Sequence, residues 1–172
     1  MTQIKEKRTC AREELSGKYL TFQLGNEQYG LQILKVREII GLMHITAVPR
    51  TPADIRGVIN LRGRIIPVID LRTKFGMDQI EDTNESCIIV VDSGVSDDSN
   101  MMGILVDRVR EVMDIKPEEI EPAPTFGDGV DCSFVHAMAK EKDKVTILLS
   151  TERIVADTRK ISTNETQPTN EI

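Results

Sequence analysis

Apolar side chains recur along this chain in short β-branched runs that Gly, Pro, Asp and Asn interrupt at close intervals, a rhythm that predicts strands rather than long helices. Lys18 to Leu24 alternates as a strand, Gly25-Asn26-Glu27 makes a turn and Gln28 to Ile33 returns, giving a first hairpin. Val36 to Ile40 fits either a strand or one turn of helix, because positions 36, 39 and 40 share a helical face while β-branching favours extension. Thr46 to Asp54, with Pro49 and Pro52, is expected to be an ordered loop. The densest stretch follows: Val58, Ile59 and Leu61, then Ile65, Ile66, Val68 and Ile69, predict two buried strands around Arg62-Gly63-Arg64, a turn in which Gly63 is free to take positive φ. Pro67 has no N–H to donate, which places the second strand at a sheet edge or at a bulge. Asp70 then stands where an N-cap opens a helical turn, Leu71 to Phe75.

Beyond a polar linker, Gly76 to Ser86, the plan is written again. Cys87 to Val91 is a new apolar strand, and the acidic stretch from Asp92 to Asn100 predicts a solvated hairpin tip. Gly30 and Val36-Arg37-Glu38-Ile39 recur 73 residues on as Gly103 and Val109-Arg110-Glu111-Val112. Tyr19 to Gln23 corresponds less tightly to Ile88 to Asp92. The hairpin recurs 80 residues on, Arg64-Ile65 and Val68-Ile69 matching Lys144-Val145 and Leu148-Leu149, with a longer polar turn, Lys140 to Asp143, in place of Asn60 to Gly63. Two halves sharing one plan predict an all-β chain of two small antiparallel barrels, residues 18–85 and 86–160. A helix is expected from Ser150 to about Arg159, with tails at 1–17 and 161–172.

Composition narrows the chemistry. The 172 residues are 40% hydrophobic, 29% charged and only 3% aromatic, with a formal net charge of −6. That field repels phosphate backbones and anionic lipid, so neither nucleic acid nor a membrane surface is an expected partner. No stretch approaches the roughly 20 apolar residues that cross a bilayer, and the expected location is the cytoplasm. Cys10, Cys87 and Cys132 are odd in number and lack a paired spacing, which predicts neither a disulfide framework nor a zinc site. His44 and His136 fall in opposite halves outside any metal motif, and Gly127-Asp128-Gly129 lacks the remainder of a nucleotide-binding fingerprint. No metal, cofactor or catalytic residue is expected. The rival to a non-catalytic role is a small metabolite-binding or hydrolytic barrel using His44, Asp54 or Asp70 at its mouth.

Asn60-Leu61-Arg62-Gly63 followed by Pro67-Val68-Ile69-Asp70-Leu71-Arg72 resembles, without a gap, the most recognisable segment of the CheW family of chemotaxis coupling proteins. The resemblance runs from about Lys18 to Asp157 and takes in Tyr29-Gly30, Val36 to Ile40 and Val48-Pro49-Arg50-Thr51-Pro52. It implies two five-stranded, SH3-like barrels packed around an apolar seam. It also implies an adaptor between the cytoplasmic helical-hairpin tip of chemoreceptors and the regulatory domain of the histidine kinase CheA. Glu38 and Arg62 match positions associated with coupling; an ion pair between them and pairing with a partner are both open, and they are compatible. Ile33, Val36 and Ile39 with Leu105 and Val109 are candidates for the aliphatic receptor groove, or for core. Gly57 and Gly63 fix the hairpin that presents Arg62. Phe126, between two prolines and a glycine, is a candidate anchor or tucks into its own barrel.

Overall fold

A computed structural model describes residues 12–92, 101–123 and 133–156; Phe126, the Asp97-Asp98 tip, residues 1–11 of the first tail and the whole of the last tail lie outside them, while residues 12–15 are helical. Among the described residues, eleven strands alternate with short helical turns. The first hairpin is β1 (Gly17–Leu24) and β2 (Glu27–Gln32); a 3-10 turn, Ile33–Lys35, leads to β3 (Val36–Gly41). The ambiguous segment is therefore extended. The central hairpin is β4 (Ile55–Leu61) and β5 (Arg64–Asp70), followed by the short helix α1 (Leu71–Lys74). After the linker come β6 (Cys87–Asp92), β7 (Met101–Val106), β8 (Arg108–Ile115), β9 (Ile120–Pro122), β10 (Val135–Glu141) and β11 (Lys144–Leu149). Residues 151–156 are helical.

The strands make two sheets, of six strands in the order β8-β1-β2-β11-β10-β9 and of five in the order β3-β6-β7-β5-β4. Both are mixed, which corrects the purely antiparallel expectation: β2 runs parallel to β11 and β5 parallel to β7. The physical reason is exchange between the repeats. Each sheet joins a hairpin from one copy (β1-β2 or β6-β7) to the later strands of the other, so neither sheet is confined to one side of residue 85. Alternation along a strand tells which face is buried but does not name the neighbour. The repeat itself is visible in the registers, since Gly30 lies opposite Leu148 in one parallel pairing and Gly103 opposite Val68 in the other. A Cβ on Gly103 would fall 2.8 Å from Ile88 Cγ2, and one on Gly30 3.2 Å from Leu148 Cδ2.

β5 lies inside its sheet, between β7 and β4, so of the two positions expected from Pro67 the edge is corrected, while the β4–β5 register does shift beside it, between Ile55 and Gly57. Pro67 faces Val58, whose own N–H and C=O are turned away to Thr46 (2.9 and 2.8 Å). The β5–β7 pairing begins one residue later, at Val68. The missing N–H thus falls at a position where β4 does not call for a donor. Ile65, counted above among buried strand positions, is 73% exposed, opposite the exposed Asn60.

Three apolar clusters hold the sheets. Ile59, Ile66, Val68, Ile88, Val90 and Leu105 fill the five-stranded sheet's own interior, and a smaller group including Tyr19, Ile115 and Leu148 fills that of the six-stranded one. The largest joins the two: Leu20, Phe22, Leu24 and Leu31 meet Ile69, Ile89, Val91 and Ile104, with Ile154 and Val155 of the last helix. Across this seam Phe22, Tyr29, Phe75 and Phe134 stand in sequence at centroid spacings of 5.8, 5.7 and 6.1 Å, the range of favourable offset ring contacts.

Candidate functional site

The β4–β5 turn has two residues, both with positive φ, Arg62 at 52° and Gly63 at 86°. A two-residue turn of that hand matches strand twist; the glycine accepts it freely, while the arginine is held there at some cost. Asn60 Oδ1 accepts the Gly63 N–H at 2.9 Å and braces the turn. The 80-residue counterpart is just as tight: β10 ends at Glu141, β11 starts at Lys144, and Lys142 also has φ 52°. The longer turn expected there is therefore corrected; both hairpins keep one length, and the polar run merely continues into the strands.

Arg62 reaches from this turn to β3, donating from its two terminal nitrogens to Glu38 Oε2 at 2.9 Å and Oε1 at 2.5 Å. β3 and β4 are the two outermost strands of their sheet, so the guanidinium bridges the gap between its edges. The internal pair is thus formed, and the Arg62 side chain is still 74% exposed. Glu38's hydrogen bonds raise the guanidinium pKa further above its ordinary value. Arg37, the neighbour of Glu38 on β3, pairs with Asp92 at the end of β6 at 2.5 Å. A planar fork engaged on one side and open to solvent around it can accept a further carboxylate.

The other predicted positions separate. Ile33, Val36 and Val109 are half-buried and pack on the seam cluster. Ile39 is exposed on β3. Leu105 is buried among the residues that fill the five-stranded sheet. Gly57 is buried with φ 148°, and a Cβ there would fall 2.2 Å from the Thr46 carbonyl oxygen. It therefore serves the close approach of residue 46 to β4, at a register shift between Ile55 and Gly57, while Gly63 is exposed at the turn.

The carboxylates of the rival hydrolytic scheme are engaged otherwise. Asp70 caps α1, accepting the Arg72 and Thr73 N–H groups at 3.1 and 3.5 Å, and pairs with Arg56 at 3.2 Å. Asp54 holds Lys74 at 3.2 Å, and that ammonium also sits 5.1 Å above the Phe134 ring. His44 is exposed. Sequence reasoning missed the clamp at Asp107, which receives Arg72 Nε at 2.7 Å, a terminal guanidinium nitrogen at 2.6 Å and the Gly25 N–H at 2.8 Å. Its one local signal was Arg72 in the Asp-Leu-Arg motif; its partners lie far away in the chain.

Comparison with known proteins bears on this arrangement directly. Residues 18–159 match the model of the CheW-like domain. The chain is 36% identical over 146 residues to the chemotaxis protein CheW of Klebsiella aerogenes, covering 85% of this chain and 86% of that one. It is 32% identical over 138 residues to the chemotaxis protein CheW of Helicobacter pylori, covering 80% of each. The crystal structure of the scaffolding protein TtCheW from Thermoanaerobacter tengcongensis superposes with a TM-score of 0.69 at 40% identity, over 79% of this chain and 90% of that one. With its two mixed sheets and its arginine turn, the chain belongs to the CheW family of chemotaxis scaffolding and coupling proteins.

Proposed function

We propose that this chain works in the cytoplasm at membrane-associated receptor arrays, coupling the helical-hairpin tip of chemoreceptors to the regulatory domain of the CheA kinase. The observation that carries this reading is the Glu38–Arg62 fork, fixed on a two-residue turn and exposed at the edge of β3. Beside it on the same strand lie the half-buried Val36 and the exposed Ile39. Val36, Ile33 and Val109 border one apolar seam, which suits a receptor helix laid in a groove with charged residues at its rim. Each sheet, in this reading, curls into an SH3-like barrel, and the Glu38–Arg62 pair closes one of them. The adaptor holds two partners in fixed geometry, and a change in one alters contact with the other, a coupling free energy that needs no active site.

The test is reconstitution of receptor-stimulated kinase activity with Arg62→Asp. Because the guanidinium is exposed, the variant keeps its circular dichroism and unfolding midpoint close to wild type while stimulation is lost. Full stimulation by a folded Arg62→Asp chain would refute the assignment.

A further inference from the structure

The two copies of the plan differ at one place with chemical meaning. Glu38 and Arg62 map by the 73- and 80-residue offsets onto Glu111 and Lys142. The backbone is equivalent: Lys142 repeats the φ of 52° of Arg62. The β8 register shifts opposite Leu20 and Phe22, as that of β3 shifts between Val36 and Glu38. Thr21 fastens the β8 shift, donating its hydroxyl to the Glu111 carbonyl at 2.7 Å and accepting the Glu111 N–H at 3.1 Å. In one sheet a guanidinium spans the gap between hairpin and edge strand. In the other, among the described residues, no ion pair joins Glu111 to Lys142, and the gap is open. Two adjoining clefts of about 490 and 690 Å³ occupy it, both lined by Glu111, Glu141 and Lys142.

The smaller cleft sets Glu111, Asp114, Glu119 and Glu141 against Lys140 and Lys142, and Lys140 is already paired with Glu121. Its charge therefore favours a cation. Which cation is indicated by the molecule itself, because the equivalent carboxylate, Glu38, is satisfied by a bidentate guanidinium. A lysine ammonium is a point charge and cannot reproduce that fork. We propose that the Glu111–Lys142 cleft is a second docking site, taking an arginine side chain that a partner protein presents on a turn and that fills the place Arg62 fills beside Glu38.

The site can be probed in the full chain by recording amide shifts on titration with the capped peptide Asn-Leu-Arg-Gly and its Asn-Leu-Lys-Gly analogue. The arginine peptide is expected to give saturable shifts at residues 110–114 and 140–143, and the lysine analogue weaker ones. Glu111→Gln removes the carboxylate, and Lys142→Arg fills the cleft from within; each is expected to abolish the response while the remaining amides stay at wild-type positions. Equal responses to the two peptides, an undiminished response in folded Lys142→Arg, or no saturable shift in the wild type would each overturn the proposal.

Discussion

The chain passes between its two sheets twice, and the two passages are built differently. From β7 to β8 it crosses on one residue, Asp107; from β2 to β3 it crosses on three, Ile33–Lys35. At the first, a carboxylate is gripped by Arg72 and by the Gly25 N–H, the side chains of the pair being only 12% and 19% exposed. At the second, Lys35 reaches Glu152 at 2.8 Å with 30% and 62% exposure, and Leu34, the residue before Lys35, is exposed to solvent. Arg72 and Glu152 are equivalent positions, 80 residues apart, so one crossing takes its cation from the helix and the other its anion. The difference teaches that duplication preserved the path but not the fastening, leaving one crossing pinned and the other loose.

The most severe way to break the contrast is Asp107→Ala. It takes the carboxylate from the Gly25 N–H and from a mostly buried guanidinium that keeps the Asp78 carbonyl at 2.9 Å, and the expected cost is about 3 kcal/mol in denaturant unfolding. Acid provides the milder form of the same test. Burial alone would raise the Asp107 pKa, but the hydrogen bonds from Arg72 and Gly25, with the Arg72 charge, prevail and hold it below the ordinary aspartate value. A depressed folded pKa contributes stability that is fully present above the unfolded value, about 3.9, and is lost as pH falls through the folded one. Wild type should therefore lose more stability than Asp107→Asn on acidification below about pH 4. Parallel acid profiles for the two would show that the clamp does not hold the crossing.

A smaller and opposite effect is expected where the two helices differ. Ser150 Oγ accepts the Arg153 N–H at 3.3 Å, much as Asp70 accepts that of Thr73, so the cap survives a change of residue. The next position does not fare as well. Leu71 is fully buried, whereas its counterpart Thr151 buries a hydroxyl for which the described residues offer no hydrogen-bond partner. Thr151→Val keeps the shape and removes the stranded group, with an expected gain of about 1 kcal/mol. A loss on that substitution would mean that the hydroxyl is satisfied in solution.

These contrasts also separate what local sequence discloses from what only the folded chain brings together. The repeat was visible because glycine positions and an arginine-glutamate pair are distinctive letters at fixed spacing, and Asp70 was legible because a cap acts within three residues. Glu38 and Arg62 stand out by their motifs, and the structure pairs them across the gap between edge strands. What stayed hidden was partnership at long range. The β2–β11 pairing joins Gly30 to Leu148, and the Asp107 clamp gathers residues 25, 72 and 107; nothing in local periodicity marks either. Leu105 shows the same limit, since an apolar residue in a strand reads alike whether it fills its own sheet or borders the seam.

The least effect is expected at the loose crossing. Glu152 is held below its ordinary pKa by the hydrogen bond from Lys35 and then by that residue's charge, yet its side chain is mostly in water, where such pairs contribute little and salt screens them. Glu152→Ala should shift stability by no more than about 0.5 kcal/mol, and the difference should vanish in high salt, while the loss for Asp107→Ala persists. The two crossings border the seam on which Ile33, Val36 and Val109 pack, so their unequal fastening has a mechanical consequence: strain on the sheets should open the Ile33–Lys35 side before the Asp107 side. Amide exchange can read this directly, with residues 33–36 exchanging faster than 106–109 in the native state. Equal protection of the two segments would mean that packing across the seam, rather than either ion pair, sets the stiffness of the joint.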